Sequence, residues 1–508
     1  MKKIFLTMLS FFLISSFLYS QNTMYICNKS GIIEVRQLDQ IDSVIFYKPI
    51  SDIYGVKINR SLPFKESIER TGAAENLISN TEIEGEAVNQ DDFMENVYPY
   101  NCIKRCNILA NKNIVYDGQS GFSVENNTFI EIPLFYMRRY IKGDYEYRDI
   151  CREQKEGFYP APMFVEGEKV LDKVYIACYE TSINSSNIAQ SVSGVNPLSG
   201  ISLSQYRDLY NKKGYGYSGV DIRTIMSIQH LYLIRFANKN SQVNIGTGWT
   251  FLSCPTQPIL NQNDGVTDSV VIADIDARFS NSWFVGMNIG FLAKGYLTVK
   301  QLSSYKRNYP SKNQVTLYFN EKIDLKSFET CGGCFQKTGY SDRLISDTGH
   351  SKYTSEDGKK NCSVRLFWLE NFWGNVWELT EGLWFKSRIP YISFDCTNYN
   401  DQATGYIPLS TQIPLQVDNT NQTNGVIRNL GLDDQYTWFG MPDSLGGNTF
   451  PSPGYGDFFY SNENQAYCIF GGGFDHVERA GLFVFRNWGN ERTSWYLYGS
   501  RMQFKNIE

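Results

Sequence analysis

Histidine is scarce in this chain: there are three in 508 residues, His230, His350 and His476. No two are close enough in sequence to form a metal-binding motif. A GxSxG elbow and a phosphate-cradling glycine loop are both missing. Without these signatures the expectation is a protein that is not an enzyme and takes no cofactor. A Ser-His-Asp triad is a spatial arrangement and is not readable from sequence. Blocks of lysine and arginine are also missing, and the net charge is -5. Phosphate binding needs a basic face, so nucleic acid is excluded as an expected partner. Past the first residues no run is apolar enough to span a bilayer, and there is neither an internal repeat nor a low-complexity tract. Of the 11 cysteines only Cys331 and Cys334 form a close pair. A zinc site normally shows a second ligand pair, so this one reads as a local disulfide or free thiols.

What is present is ample apolar material. Hydrophobic residues make up 42% of the chain, with 15% aromatic, and no long segment has a disordered composition. Domains of ~100–200 residues give a prior of two or three modules. Residues 1–20 read as a secretory signal peptide: Lys2 and Lys3 precede an apolar run from Ile4 to Leu18, with cleavage expected after Ser20. Cys27 lies too far on to be a lipoprotein cysteine. The mature protein is therefore expected to be exported without a membrane span, and to be secreted, at the cell surface or periplasmic.

Residues 21–50 read as a small β element. Tyr25-Ile26-Cys27 is extended, Asn28 to Gly31 is a turn, Ile32 to Val35 is the return strand and Val44-Ile45-Phe46 is a third run. This stretch resembles a short N-terminal element common in exported proteins of Bacteroidetes. Residues 53–247 form an N-terminal α+β portion. It holds strand-like runs at Phe129–Ile132 and Val174–Ala177, and one helix following Ser204 to Arg207. A second helix carries Ile222, Ile225, Met226, Tyr232, Leu233, Phe236 and Ala237 on one core-facing stripe, with Asp221 as its cap. Residues 248–508 alternate short apolar runs with turns such as Asn263-Asp264-Gly265 and Gly446-Gly447-Asn448, and read as irregular β structure with long loops.

Two segments carry the most information. In Glu370 to Leu379, Trp373 and Trp377 flank the turn Gly374-Asn375. In Phe470 to Arg501, Gly472-Gly473-Phe474 is followed by Ala480-Gly481-Leu482-Phe483 and then Gly499-Ser500-Arg501. Together they resemble the C-type lectin fold of the formylglycine-generating sulfatase-modifying enzymes. They are closer to the variable proteins of diversity-generating retroelements and related phage and prophage tail-associated proteins. Upstream segments extend the resemblance to about Ile53, among them Tyr98 to Asn101, Lys104 to Asn107, Tyr179-Glu180 and Ser191 to Val195. It implies an α+β, C-type lectin-like (formylglycine-generating-enzyme-like) fold with long irregular loops, preceded by the small β element.

In the variable proteins the polar positions between the fixed glycines and arginine contact the ligand. Carried over, these are Asp475, His476, Glu478, Arg479, Phe485, Arg486, Asn487, Trp488, Asn490, Arg492, Thr493, Trp495 and Tyr496. Trp, Tyr, Arg and Asn supply area and directional hydrogen bonds at recognition surfaces, which agrees in kind. The resemblance thus implies display of a recognition surface for a protein or surface-glycan ligand, with sequence diversification by a retroelement. Gly472, Gly473, Gly499 and Arg501 are expected to be buried scaffold. Trp488, Trp495, Arg486, Arg492 and Tyr496 are expected to form one exposed patch. The enzyme relatives use a cysteine pair after the Gly-Gly aromatic, and nothing from Phe474 to Glu508 is cysteine. A catalytically altered member of that superfamily, or a structural adhesin or appendage subunit, is the alternative. Glu378 falls in a loop that helps hold calcium in the enzymes; a structural hydrogen-bonding role ranks above a metal role there.

Overall fold

A computed structural model describes residues 23–28, 31–37, 52–62, 67–79, 91–250, 257–273, 283, 285–294, 296–307, 314–343, 347, 363–413, 422–446, 454–462, 467–476, 479–487, 489 and 492–507. The chain divides into two compact units, Met1–Ser51 and Asp52–Glu508. In the first, strands Thr23–Asn28 and Gly31–Gln37 form an antiparallel pair, running from Thr23 opposite Gln37 to Asn28 opposite Gly31. The expected third run, Val44 to Phe46, lies outside the described residues, as do residues 1–20.

The second unit is α+β with strands dominating. A six-stranded sheet has the order Tyr217–Gly219, Met502–Phe504, Lys173–Ala177, Thr128–Pro133, Lys104–Ile108, Ile114–Tyr116. The end of the chain is thus an inner strand between two strands from the 53–247 portion. The two portions divided at 247/248 share a sheet and belong to one compact unit. A seven-stranded sheet is built from C-terminal segments, in the order Pro442–Gly446, Gln422–Leu430, Phe458–Asn462, Phe485–Asn487, Cys468–Phe470, Trp377–Leu379, Tyr498–Gly499. Between Gln257 and Gly333 the chain forms a four-stranded and a three-stranded antiparallel sheet.

Two longer helices lie in the N-terminal portion. Helix α1, Leu203–Lys213, begins in a full capping box: Ser202 accepts from the Gln205 amide, and Gln205 answers the Ser202 amide. Helix α2, Ile222–Phe236, is capped by Asp221, which accepts from the Thr224 amide. The apolar stripe expected on α2 is there, but the helix is buried on every side rather than amphipathic. Ala237 is not part of its stripe; it is the left-handed C-cap. The polar residues off the stripe have internal partners. Gln229 donates to the Leu482 carbonyl at 2.8 Å, Thr224 to Gln503 at 2.8 Å, and the His230 ring meets the Asp149 carbonyl at 3.1 Å. Burial without partners is costly, and these bonds offset part of that cost.

The Gly374-Asn375 turn joins both informative motifs. Gly374 has φ +79°, and an added Cβ would lie 3.0 Å from the Trp249 nitrogen. Asn375 bonds the Gln336 amide and the Glu180 carboxylate, both at 2.6 Å, while its carbonyl accepts from the Phe474 amide at 2.8 Å. Trp373 and Trp377 are both fully buried.

Candidate binding face and the charged scaffold behind it

Arg501 organises the scaffold. Its guanidinium is fully buried; Nε donates to Glu378 at 2.8 Å, and Nη2 lies 2.7 Å from the same carboxylate oxygen. The remaining hydrogens go to the carbonyls of Ala177, Cys178, Glu370 and Asn371, at 3.0, 2.8, 2.5 and 3.3 Å. A fork of five donors is well suited to holding strands from both sheets at once. Glu378 is therefore the counter-ion of Arg501. Burial still lifts its carboxyl above the usual range, against the pull of the arginine. Gly472 is buried at φ +86°, and a Cβ there would fall 2.8 Å from the Ala480 Cα. Gly473 and Gly499 are buried too.

The residues between these fixed points divide by position. Strand Phe485–Asn487 lies inside the seven-stranded sheet, antiparallel to Cys468–Phe470 and parallel to Phe459–Ser461. Side chains alternate across a strand. Phe485 and Asn487 consequently face inward and are fully or nearly fully buried; Phe485 packs 5.3 Å from the Phe470 ring. Their burial keeps both side chains off the exposed face on which the sequence reading set them. Arg486, between them, is half-exposed, with its guanidinium 5.4 Å from the Tyr460 ring. Exposed Arg479 donates to the Tyr460 hydroxyl at 3.0 Å and stands 5.1 Å from the Phe458 ring.

Asp475 and His476 follow the glycines directly. The His476 Nδ1 lies 2.6 Å from Asp475 Oδ1, and its ring meets Trp377 edge-on at 4.7 Å. Tyr498, whose hydroxyl is pushed up to about 12 by burial, feels the charges of both Arg486 and Asp475. These groups therefore share one region. Farther along, Arg492 and Trp495 are exposed and Thr493 and Tyr496 half-exposed. The Trp495 and Tyr496 rings stack at 5.7 Å, and the Trp495 carbonyl accepts from the Tyr498 amide at 2.8 Å. Glu478, Trp488 and Asn490 lie outside the described residues. Sequence reading missed Tyr460 and Tyr498. Tyr460 sits in the run Phe458-Phe459-Tyr460, which reads locally as a strand but says nothing of its pairing with Arg486.

Several titratable groups elsewhere are committed to structure. His230 is buried, and burial holds its imidazole well below the usual range. His350 lies outside the described residues. Cys331, Cys334 and Cys468 are buried free thiols, all pushed up by burial, a state that suppresses thiolate chemistry. Glu166, Asp395 and Cys396 form a group with metal-ligand spacing. Glu166, however, is already paired with Lys505 at 2.6 Å and Arg223 at 2.7 Å, and a divalent ion would face both cations. No protein-family model and no curated protein matches the chain.

Proposed function

We propose that the chain is an exported ligand-binding protein that displays a C-terminal recognition face on a C-type lectin-like scaffold, in the manner of the variable proteins of diversity-generating retroelements. One observation carries the reading: a single segment holds both buried scaffold residues and exposed recognition-type side chains. Gly472, Gly473, Gly499 and Arg501 are buried, while Arg479, Arg492 and Trp495 are exposed among partly buried Asp475, His476, Arg486, Thr493 and Tyr496. Trp495 is 50% exposed, an unusual state for an indole in a chain with so much buried aromatic area. Arginine and aromatic side chains are the types that dominate binding energy in recognition surfaces. The ligand is a protein or a surface glycan.

Sequencing the DNA beside the coding region tests the diversification part. A near-copy of the segment encoding Phe470 to Arg501, differing at adenines, together with a reverse transcriptase, is the expected result. Binding is tested separately on the purified protein with an array of surface glycans and cell-surface proteins. A hit that survives in the wild type and disappears in the joint Arg479→Ala, Arg492→Ala, Trp495→Ala variant supports the face. A hit unaffected by those changes places recognition elsewhere.

A further inference from the structure

A cleft elsewhere in the same unit shares no lining residue with that face. It has a volume of about 370 Å³ and is lined by Lys104, Arg105, Tyr116, Asp117, Gly118 and Trp368. Its floor comes from strands Lys104–Ile108 and Ile114–Tyr116 at one edge of the six-stranded sheet. Its wall is a two-residue turn, Phe367-Trp368, which joins the paired segments Arg365–Leu366 and Leu369–Glu370.

That turn is made against local preference. Phe367 has φ +52° and Trp368 φ +67°. Two-residue turns with positive φ at both positions take Asn-Gly, because side chains are strained there. Phe367 is explained by the core, where it is fully buried 5.8 Å from the Tyr100 ring. Trp368 is only partly buried and faces the cleft. Its indole is held by two guanidiniums, Arg105 at 4.6 Å and Arg365 at 4.2 Å. Those charges are already answered: Arg105 pairs with Asp117 and Asp342, Arg365 with Asp347. The Tyr116 ring is fixed by its hydroxyl, which donates to Glu131 at 2.9 Å.

One charge is left over. Lys104 is exposed, its ammonium 5.6 Å from the Tyr116 ring, and it makes no ion pair with any described residue. Asp117 bonds Arg105 through Oδ2, and among the described residues nothing takes its Oδ1. The cleft thus offers two fixed aromatic side chains, one carboxylate oxygen able to accept from hydroxyls, and one unpaired ammonium. A single cation answers a single negative charge, which disfavours polyphosphates. Aromatic walls with a few placed polar groups are the usual make-up of a small-ligand site. Trp368 packs one side of its indole against the core and turns the other to the cleft, so the strained turn fixes a cleft-lining ring in place.

We propose that this cleft binds a pyranose bearing one carboxylate, with the acid group on Lys104, ring hydroxyls on Asp117 and the ring against Trp368 and Tyr116. A uronate in a polysaccharide and a sialic acid both present this chemistry. The test is calorimetric titration of the full-length protein with a glucuronate-terminated oligosaccharide, with sialyllactose and with neutral lactose. Binding of either acidic sugar, with lactose silent, is expected, and the responding arm identifies the source. Lys104→Glu should weaken that binding about tenfold or more, Lys104→Arg should keep it, and Lys306→Glu, an equal charge change at an exposed site elsewhere, should leave it unchanged. Unaltered melting of Lys104→Glu would show that the loss is not unfolding. Equal binding of lactose, silence of both acidic sugars at millimolar concentration, or full affinity in Lys104→Glu would each overturn the proposal.

Discussion

Arg501→Ala is the perturbation whose outcome the structure constrains most tightly. The side chain makes two contacts to Glu378 and four to backbone carbonyls, all inside the core. Its removal strands a carboxylate that is almost entirely buried. Breaking a buried pair by deleting one partner costs ~3–5 kcal/mol, against ~5–15 kcal/mol for a whole domain. Stranded carbonyls add to this, with water entering the vacated space taking some of it back. We therefore expect a loss of at least ~3 kcal/mol, read by urea denaturation as a lower midpoint at unchanged slope. The loss should depend on pH. Burial already raises the Glu378 and Glu180 carboxyls, and Arg501 opposes that rise in both. Without the arginine both rise further. A carboxyl raised in the folded state contributes stability below its unfolded pKa and loses it as pH climbs through the folded one. The deficit of Arg501→Ala should therefore be smaller near pH 5 than near pH 8. Joint replacement by Arg501→Met and Glu378→Leu should cost less than Arg501→Ala alone, since no charge is left unpaired. A variant within ~0.5 kcal/mol of wild type at both pH values would refute this account of the scaffold.

Other positions give independent checks. Gly374→Ala should cost ~2 kcal/mol or more, combining a left-handed backbone with a Cβ 3.0 Å from the Trp249 nitrogen; an unchanged melting temperature would contradict the turn geometry. Asp457 is fully buried and accepts from the Phe483 amide at 2.6 Å and from Gln242 at 2.9 Å, and burial raises its carboxyl from 3.8 to about 7. Wild type should thus lose stability between about pH 4 and pH 7, and Asp457→Asn should gain on it across that window by up to ~4 kcal/mol; parallel stability–pH curves would rule this out. Arg492→Ala and Trp495→Ala, at exposed positions, should each shift stability by no more than ~0.5 kcal/mol, and a larger drop in either would assign that side chain to the core.

How much of this was legible depended on how local each signal is. Helix α2 was readable because its apolar spacing and its Asp221 cap lie within one short segment. The same letters misled about its other faces. Arg223, Gln229, His230 and Arg235 look like a wetted surface, yet their partners are Glu166, Leu482, Asp149 and Asp347, which only the tertiary fold brings near. The final strand, Met502–Phe504, was invisible for the same reason: it pairs with Lys173–Ala177 and Tyr217–Gly219, hundreds of residues upstream. Strand Phe485–Asn487 is only three residues long, too short for a period of two to show, so inward Phe485 and Asn487 could not be told from outward Arg486.

That contrast also explains why the buried residues of the C-terminal segment are easier to read than the exposed ones. A residue that serves the fold has fixed internal partners, and its spacing is set by them. Arg501 has to reach Glu378 and four carbonyls, and a Cβ at Gly472 would fall 2.8 Å from the Ala480 Cα. The exposed residues have fewer such ties: among the described residues the Arg479 side chain meets Tyr460 and the Phe458 ring, and Trp495 leaves half its surface in water. Trp368 breaks this pattern. It is partly exposed and yet fixed by Arg105, Arg365 and a strained turn. Internal constraint and exposure coincide there, as they must at a preorganised site, and that coincidence makes the cleft the place where a ligand class can be argued from the chain's own residues.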